Sequence, residues 1–474
     1  MPERQNITKN IGWLALGNIL VKPIWFLFLL LTVRVLGADD FGKYMLAISF
    51  ASVASVIFEG GVDILTIREL SSEPEKYETF FGHTAVLKLA AGVLAGSAAI
   101  VVSFILRMQW EMIVLVILAS AYSVFNTLLL HFRSVFRAFE VMKYEAISIV
   151  MEKLSVIVLC GAVLLAHMGV RAFMAGYLLA YCLTGLITFM LVLSKVGIPS
   201  LRPSVSYMWS RVLKPALPFA VLNIFTIIYF RSGTLMIGAL TGREEIVGYY
   251  NAGYRLVESF MLFPTIIIAP LYPVISRNRE DVDAVRSVLL DAARALLVIS
   301  VSISFPIYLF RDQLTLLLFG TGYKLATTFV GVLALTMIPI SLNFVAGTLV
   351  AALGRQAKSN IFVLVVTLMN LLLNYVLIKA WGGEGAAVTT LLTEALLVIF
   401  NLGIVRDYIP WRSLIRVLYR AFVPALLGWA LLLTSVGKLS FTVQIVAVLV
   451  MMLTGYFLLR LVTFDDLKRL AHTR

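Results

Sequence analysis

Four ionisable side chains stand deep inside long apolar runs: Lys22, Arg255, Glu258 and Glu394. A charge at that depth in hydrocarbon costs several kcal/mol unless it is paired or faces water, so each marks a place where binding chemistry is expected. At a helical rise of about 1.5 Å per residue, Lys22 lies about 18 Å into its run. Arg255 and Glu258 lie about 14 and 18 Å into theirs, and Glu394 about 14 Å into its own. Lys22 precedes Pro23, which removes a helix hydrogen bond and is expected to bend the run, making the lysine a candidate anion ligand. The plainer alternative is that Lys22 pairs with a neighbouring acid. Arg255 and Glu258, at i,i+3, either pair along one helix face or serve a cavity. Glu394 has no charged partner on its own helix and is a candidate proton-linked coupling acid.

Three further sites lie nearer the run ends. Glu59 and Asp63, in FEGGVDILTIREL, are spaced i,i+4 and are expected to share a helix face, as substrate contacts or as an interfacial cluster with Arg68. Arg231, in IIYFRSG, faces a cavity or headgroups, and Arg34 is a weaker candidate contact at an outer mouth. Lys88 and Lys153 sit close enough to run ends to snorkel out. Asn223, Asn343, Asn370 and Asn374 suit either sugar hydroxyls or helix–helix contacts. There is no phosphate-binding Walker loop, no H-E-x-x-H and no nucleophile elbow, and the 4 histidines are not spaced as metal ligands. No catalytic residue, metal or cofactor is therefore expected, and the chain does not read as an enzyme. Cys160 and Cys182 both fall inside apolar runs, which excludes a disulfide framework.

The elements that must carry these residues follow from composition. Of the 474 residues, 61% are hydrophobic and 14% charged, against roughly a quarter charged in soluble domains. The net charge of +13 would suggest nucleic acid in a soluble protein. Here nucleic acid is not expected, because the excess fits loops facing a cytoplasm and an anionic leaflet. About fourteen apolar runs are long enough to cross roughly 30 Å of hydrocarbon. The first is too long for a cleavable signal and lacks a small-residue cleavage site. Such runs must be helices, since backbone groups in lipid have no partner but each other, and no run alternates as a barrel strand would. With the amino terminus placed in the cytoplasm, inner segments hold more than twice as many Lys and Arg as outer loops, which predicts both termini cytoplasmic. Trp110, Trp209, Trp381 and Trp411 fall at expected helix ends, where interfacial tryptophans belong.

A short polar turn is written twice. RVLGADDFGKY, residues 34–44, returns as ALTGREEIVGYY, residues 239–250, so that Gly42 and Tyr44 match Gly248 and Tyr250. Further on, Ala138, Gly169 and Ala172 match Ala352, Gly383 and Ala386 at nearly the same offset. The pattern predicts two six-helix halves of the same orientation, residues 1–200 and 201–405, related by an axis along the membrane normal. Two additional helices and a cytoplasmic tail would occupy residues 406–474.

The amino-terminal passage NIGWLALGNILVKPIWFLFLLLTVRVLGADDFGKYMLAISFASVASVIFEGGVDILTIREL carries an R-x-L-G turn, then F-G-x-Y, then a Gly-rich stretch ending in R-E. The carboxy half adds GRQAKSN and, one span later, WGGEGAAVTT. These patterns resemble the polysaccharide transport branch of the multidrug/oligosaccharidyl-lipid/polysaccharide exporter superfamily. They are similar as well to lipid II flippases and, more distantly, to multidrug antiporters. The resemblance implies an all-α integral membrane protein of two six-helix lobes around a central cavity, opening alternately to each side. It implies a flippase for a lipid-linked oligosaccharide in the cell membrane. Lys22, Arg231 and Arg255 would supply cationic character for a phosphate head. Expected partners are that substrate, membrane lipids and a glycan polymerase or glycosyltransferases, with the chain a monomer. The alternatives are a cation-coupled multidrug antiporter and a non-transporting scaffold for glycan assembly.

Overall fold

Backbone amides in apolar surroundings must bond one another, and the described residues accordingly form helices and turns, with no strand among them. The structure is a computed structural model that describes residues 7–59, 61–200 and 204–461, and the side chains of these apart from 7–20, 57–59, 218 and 222. Among them, twelve helices are long and apolar enough to cross a membrane, or thirteen if the bent pair Glu244–Ile268 and Leu271–Arg277 is one span. The first, α1 (Ile7–Glu59), contains the first expected run and most of the second. It is interrupted at Gly37, where φ of 76° and ψ of 172° are open to glycine without a Cβ penalty. The break falls at the repeated turn. Pro23 lies inside α1, and the only non-helical dihedrals there are those of Gly37 rather than of Pro23.

The chain divides into two compact units, Met1–Gly248 and Tyr249–Arg474. The first comprises α1, α2 (Val62–Ser72), α3 (Tyr77–Ile105), α4 (Trp110–Ala138), α5 (Met142–Leu165), α6 (Gly169–Lys195), α7 (Lys214–Thr241) and the start of α8 (Glu244–Phe260). One part of its core gathers Leu65, Leu70, Phe81, Val135, Phe136 and Val212, all fully or almost fully buried. Large apolar side chains such as Leu94, Val158 and Leu165 are exposed. An outward apolar surface of this kind is what lipid, rather than water, would cover.

The second unit holds the rest of α8, then α9 (Leu262–Ile268), α10 (Leu271–Arg277), α11 (Val282–Leu309), α12 (Arg311–Phe319), α13 (Thr327–Leu335), α14 (Met337–Ala352), α15 (Gln356–Trp381), α16 (Gly383–Ile404), α17 (Trp411–Leu432) and α18 (Phe441–Leu458). Pro270 lies in the break between α9 and α10, where the chain bends by 40°, and Pro264 and Pro273 lie in the first turns of α9 and α10. Trp110 opens α4, Trp381 closes α15 and Trp411 opens α17, each at least 45% exposed. That placement matches the interfacial role expected of them.

The repeated turn has a packing role. A Cβ on Gly42 would lie 1.8 Å from the carbonyl oxygen of Glu244, and one on Gly248 would lie 1.9 Å from that of Ala38. The two glycines that the repeat aligns therefore meet at one crossing, where only a hydrogen allows backbone to touch backbone. A second close approach joins Gly61 to α7, since a Cβ there would lie 2.7 Å from the carbonyl oxygen of Ala216. Side chains at the crossing force the helices apart. Gly42→Leu and Gly248→Leu are each expected to lower unfolding free energy by about 1–3 kcal/mol, the usual range for overpacking. Gly347→Ala, at a position open for 4 Å around, should leave stability unchanged or slightly raised. Thermal unfolding of the detergent-purified variants measures all three.

Candidate substrate cavity

A cavity of about 390 Å³ lies inside the first unit. Its walls come from the second half of α1 (Ile48, Ser52, Ser55), α2 (Asp63), α3 (Lys88), α4 (Tyr122, Ser123, Asn126, Thr127) and α7 (Asn223, Thr226, Arg231). The lining is rich in hydroxyls and amides. Interhelical bonds hold part of it in place: Ser123 Oγ donates to Ser55 Oγ at 2.9 Å.

Gly61 explains how Asp63 reaches this wall. It takes φ of 81° at the head of α2, a left-handed conformation that ends the preceding helix and restarts the chain in a new direction. Asp63 then sits in the first turn of α2, where the helix dipole favours a negative charge. The expected i,i+4 pair does not form on one helix, because Glu59 ends α1 and Asp63 begins α2. The side chain of Glu59 lies outside those described. Arg68 bonds Glu69 at 2.8 Å rather than joining a cluster with Asp63.

Asp63 instead meets two partners from other helices. Lys88 Nζ donates to its Oδ2 at 3.0 Å, and His131 Nδ1 lies 2.9 Å from its Oδ1. Lys88 is 4% exposed and His131 fully buried, whereas the Asp63 side chain is 30% exposed on the cavity side. The lysine expected to snorkel thus turns inward, because a carboxylate is available there and a buried ammonium without one is costly. Histidine 131 carried no metal-ligand spacing, and nothing in its sequence surroundings distinguishes it.

Behind the cavity a second ionic group ties α4, α5 and α6 together. Arg133 bonds Glu152 at 2.8 Å, and both side chains are 6% exposed. Tyr181 Oη donates to Glu152 at 2.8 Å, and Lys153 reaches the same carboxylate at 2.5 Å. Lys153 also lies 4.2 Å from the centre of the Trp25 ring, so it too is held rather than extended outward. The rings of Tyr122 and Tyr181 meet edge to face, their centres 4.6 Å apart, linking this group to the cavity wall.

Arg231 differs from these cations. It lines the cavity, is half-buried, and makes no ion pair among the described residues. Lys22 is half-buried in the first half of α1 and Arg34 is exposed; neither lines this cavity. In the second unit Arg255 pairs along its own helix with Glu258, as the spacing allowed. Glu394 is 7% exposed and accepts a 2.8 Å hydrogen bond from Asn343 Nδ2. Nearby, Asn370 Nδ2 donates to Thr393 and Asn374 Nδ2 to Asn370, so these amides join α15 and α16. Asn223 alone of the four singled-out asparagines reaches the cavity.

The described helices define a multi-pass membrane protein with the fold of known transporters. The structure aligns with the lipid II flippase MurJ in an inward closed conformation over 96% of this chain and 99% of that one, at a TM-score of 0.76 and 15% identity. It aligns with an inward-facing multidrug resistance transporter of the MATE family over 83% and 98%, at a TM-score of 0.68 and 14% identity. The chain belongs to the polysaccharide biosynthesis protein family, whose model matches residues 7–279. A probable low-salt glycan biosynthesis flippase, Agl15 of Haloferax volcanii, is 24% identical over 160 residues, 33% of this chain and 34% of that one. The match thus spans about a third of that relative's length. An uncharacterized membrane protein of Methanocaldococcus jannaschii, MJ1068, is 20% identical over 85% of this chain and 84% of its own.

The Arg133–Glu152 pair makes a testable contrast with Arg231. Glu152→Leu strands a buried guanidinium and is expected to cost about 3–5 kcal/mol, the range for breaking a buried pair. The double variant Arg133→Met, Glu152→Leu should recover most of that loss. Detergent thermal unfolding of both variants is the measurement.

Proposed function

We propose that the chain is a flippase for a lipid-linked oligosaccharide, working by alternating access across the cell membrane. The observation that carries this reading is the cavity of the first unit, with Arg231 beside a lining of hydroxyls and amides. A phosphate head with attached sugars needs one uncommitted cation and many hydrogen-bonding groups, while its prenyl tail can stay in lipid. Three other deeply placed cations are committed to partners, Lys88 to Asp63, Arg133 to Glu152 and Arg255 to Glu258, while Lys22, with no ion pair among the described residues, does not line this cavity. Arg231 is thus favoured as the head ligand, with Asn126, Asn223 and Thr226 placed for sugar hydroxyls. Lys22, Arg34, Arg255 and Glu258 would contribute along the path of the head.

Kinship in a polysaccharide biosynthesis family supports the glycan, and the likeness to a flippase fold supports movement across the bilayer. The repeated turn supports two six-helix lobes, residues 1–200 and 201–405, with the remaining helices in 406–474. Membrane lipids and glycan-assembly enzymes are the proposed partners, with the chain acting as a monomer. The positive-inside bias supports a cytoplasmic membrane location with both termini inside. The multidrug antiporter reading is disfavoured, since a cationic drug would meet Arg231 rather than an uncommitted acid.

The test is reconstitution of the purified chain in liposomes with a short-chain prenyl-phosphate sugar and measurement of its translocation. Arg231→Gln is expected to reduce the rate at least about tenfold, as lost charge-assisted contacts of about 1.5–3 kcal/mol allow. Arg231→Lys should keep part of it. Full activity in Arg231→Gln at normal protein level would remove the assignment.

A further inference from the structure

The charged group on the cavity wall has a hydrogen-bond arrangement that accommodates two protonation states. Asp63, as a carboxylate, only accepts, so the 2.9 Å contact at Oδ1 requires a proton on His131 Nδ1. On the far side of the ring, Nε2 lies 3.0 Å from Thr84 Oγ1. That hydroxyl also lies 3.0 Å from the Phe80 carbonyl oxygen. The Phe81 carbonyl oxygen is a further acceptor at 3.1 Å, so the hydroxyl's single hydrogen serves either Nε2 or a carbonyl of the preceding turn. Pointed at Nε2, it completes a neutral imidazole; pointed at Phe80, it leaves its oxygen to accept from a protonated Nε2. Every ring nitrogen is bonded in both states, so gaining or losing a proton leaves no orphaned group.

The surroundings suit the exchange. Phe81 covers one face of the ring at 5.2 Å, nearly parallel. Among the described side chains, the charged groups facing the ring are Asp63 from α2 and Lys88 from α3. On the ring's own helix, Arg133 is held by Glu152 and Arg137 by Glu145, both from α5. Asp63 and Lys88 line the cavity, and Arg231 lines it from α7. The neutral ring leaves the Asp63–Lys88–His131 group with no net charge; the protonated ring gives it one positive charge, on the wall of the cavity that Arg231 shares.

We propose that Asp63, Lys88 and His131 form a proton-binding site of the cavity, and that proton uptake at His131 is linked to binding of an anionic head there. The proton adds to Nε2, and the Thr84 hydroxyl hydrogen turns to the Phe80 carbonyl. Linkage makes the effect reciprocal: a proton strengthens anion binding by the same factor as the anion strengthens proton binding. The second half of the proposal rests on the transport reading above; the first half does not.

The chain has only 4 histidines, which makes the site directly observable. In the variant His83→Gln, His167→Gln, His472→Gln, labelled with nitrogen-15 histidine, His131 alone gives imidazole signals. The expected result is an Nδ1 that stays protonated while Nε2 gains a proton within about pH 5–8, the range in which imidazoles exchange. An Nε2 fixed in one state from pH 5 to 9 overturns the proton site and leaves the flippase reading standing. Linkage is read with a glucosyl phosphodiester of a short isoprenol, whose charge is constant over this range. Its affinity is expected to be several-fold higher at pH 5.5 than at pH 8 in the unaltered protein and pH-independent in His131→Gln. Equal affinity at both pH values in the unaltered protein, with His131 titrating, overturns the linkage. Absence of binding at either pH overturns both the linkage and the flippase reading that it rests on.

Discussion

Hydrocarbon offers no hydrogen bond to a stranded charge, and this constraint arranges the polar residues of the whole chain. Its effect is clearest at Asp63, whose carboxylate on α2 draws Lys88 of α3 inward to 3.0 Å and His131 of α4 to 2.9 Å. The same constraint assembles Arg133, Lys153 and Tyr181 around Glu152. Amides join helices too, as Asn343 does with Glu394 and Asn370 with Thr393. Each of these contacts binds helices that apolar packing alone holds only weakly in lipid. A cation left outside such a group has to face water or a ligand, and this is the position of Arg231.

Close backbone approach is the second organising feature. The crossing of Gly42 and Gly248 and the approach of Gly61 to Ala216 bring α7 and the start of α8 against the second half of α1 and the head of α2. The cavity lies along the same helices, between residues near position 48 on α1 and those near 226 on α7. Gly61 serves twice, since its left-handed backbone also turns Asp63 toward the cavity. A short polar turn that recurs in the sequence thus helps to shape the wall of the candidate site, while the chemistry lies one or two helical turns deeper.

Much of the fold was legible beforehand because membrane helices announce themselves by length and hydropathy. Apolar runs and the tryptophans at 110, 381 and 411 stand where elementary rules place them. The pairing of Arg255 with Glu258 was also readable, since i,i+3 neighbours on a helix meet whatever the tertiary fold. The departures share one cause. A rule about single helices sends Lys88 and Lys153 outward, but Asp63 of α2 holds Lys88, and Lys153 is held by its neighbour Glu152 and by Trp25 of α1. Glu59 and Asp63 shared a face only while the helix between them was taken as continuous.

The sequence by itself determined that this is a many-helix membrane protein, and it placed Arg231 and Asp63 among the candidate site residues. Those properties depend on local hydropathy and spacing along one helix. Only the tertiary structure decided which cations are committed and which is available, and that His131 stands between Asp63 and Thr84. Partners 25, 47 and 68 residues apart in the chain come within hydrogen-bonding distance there. A single unaligned sequence carries no local signal for contacts of that separation, because they arise from how helices pack and not from what each helix is.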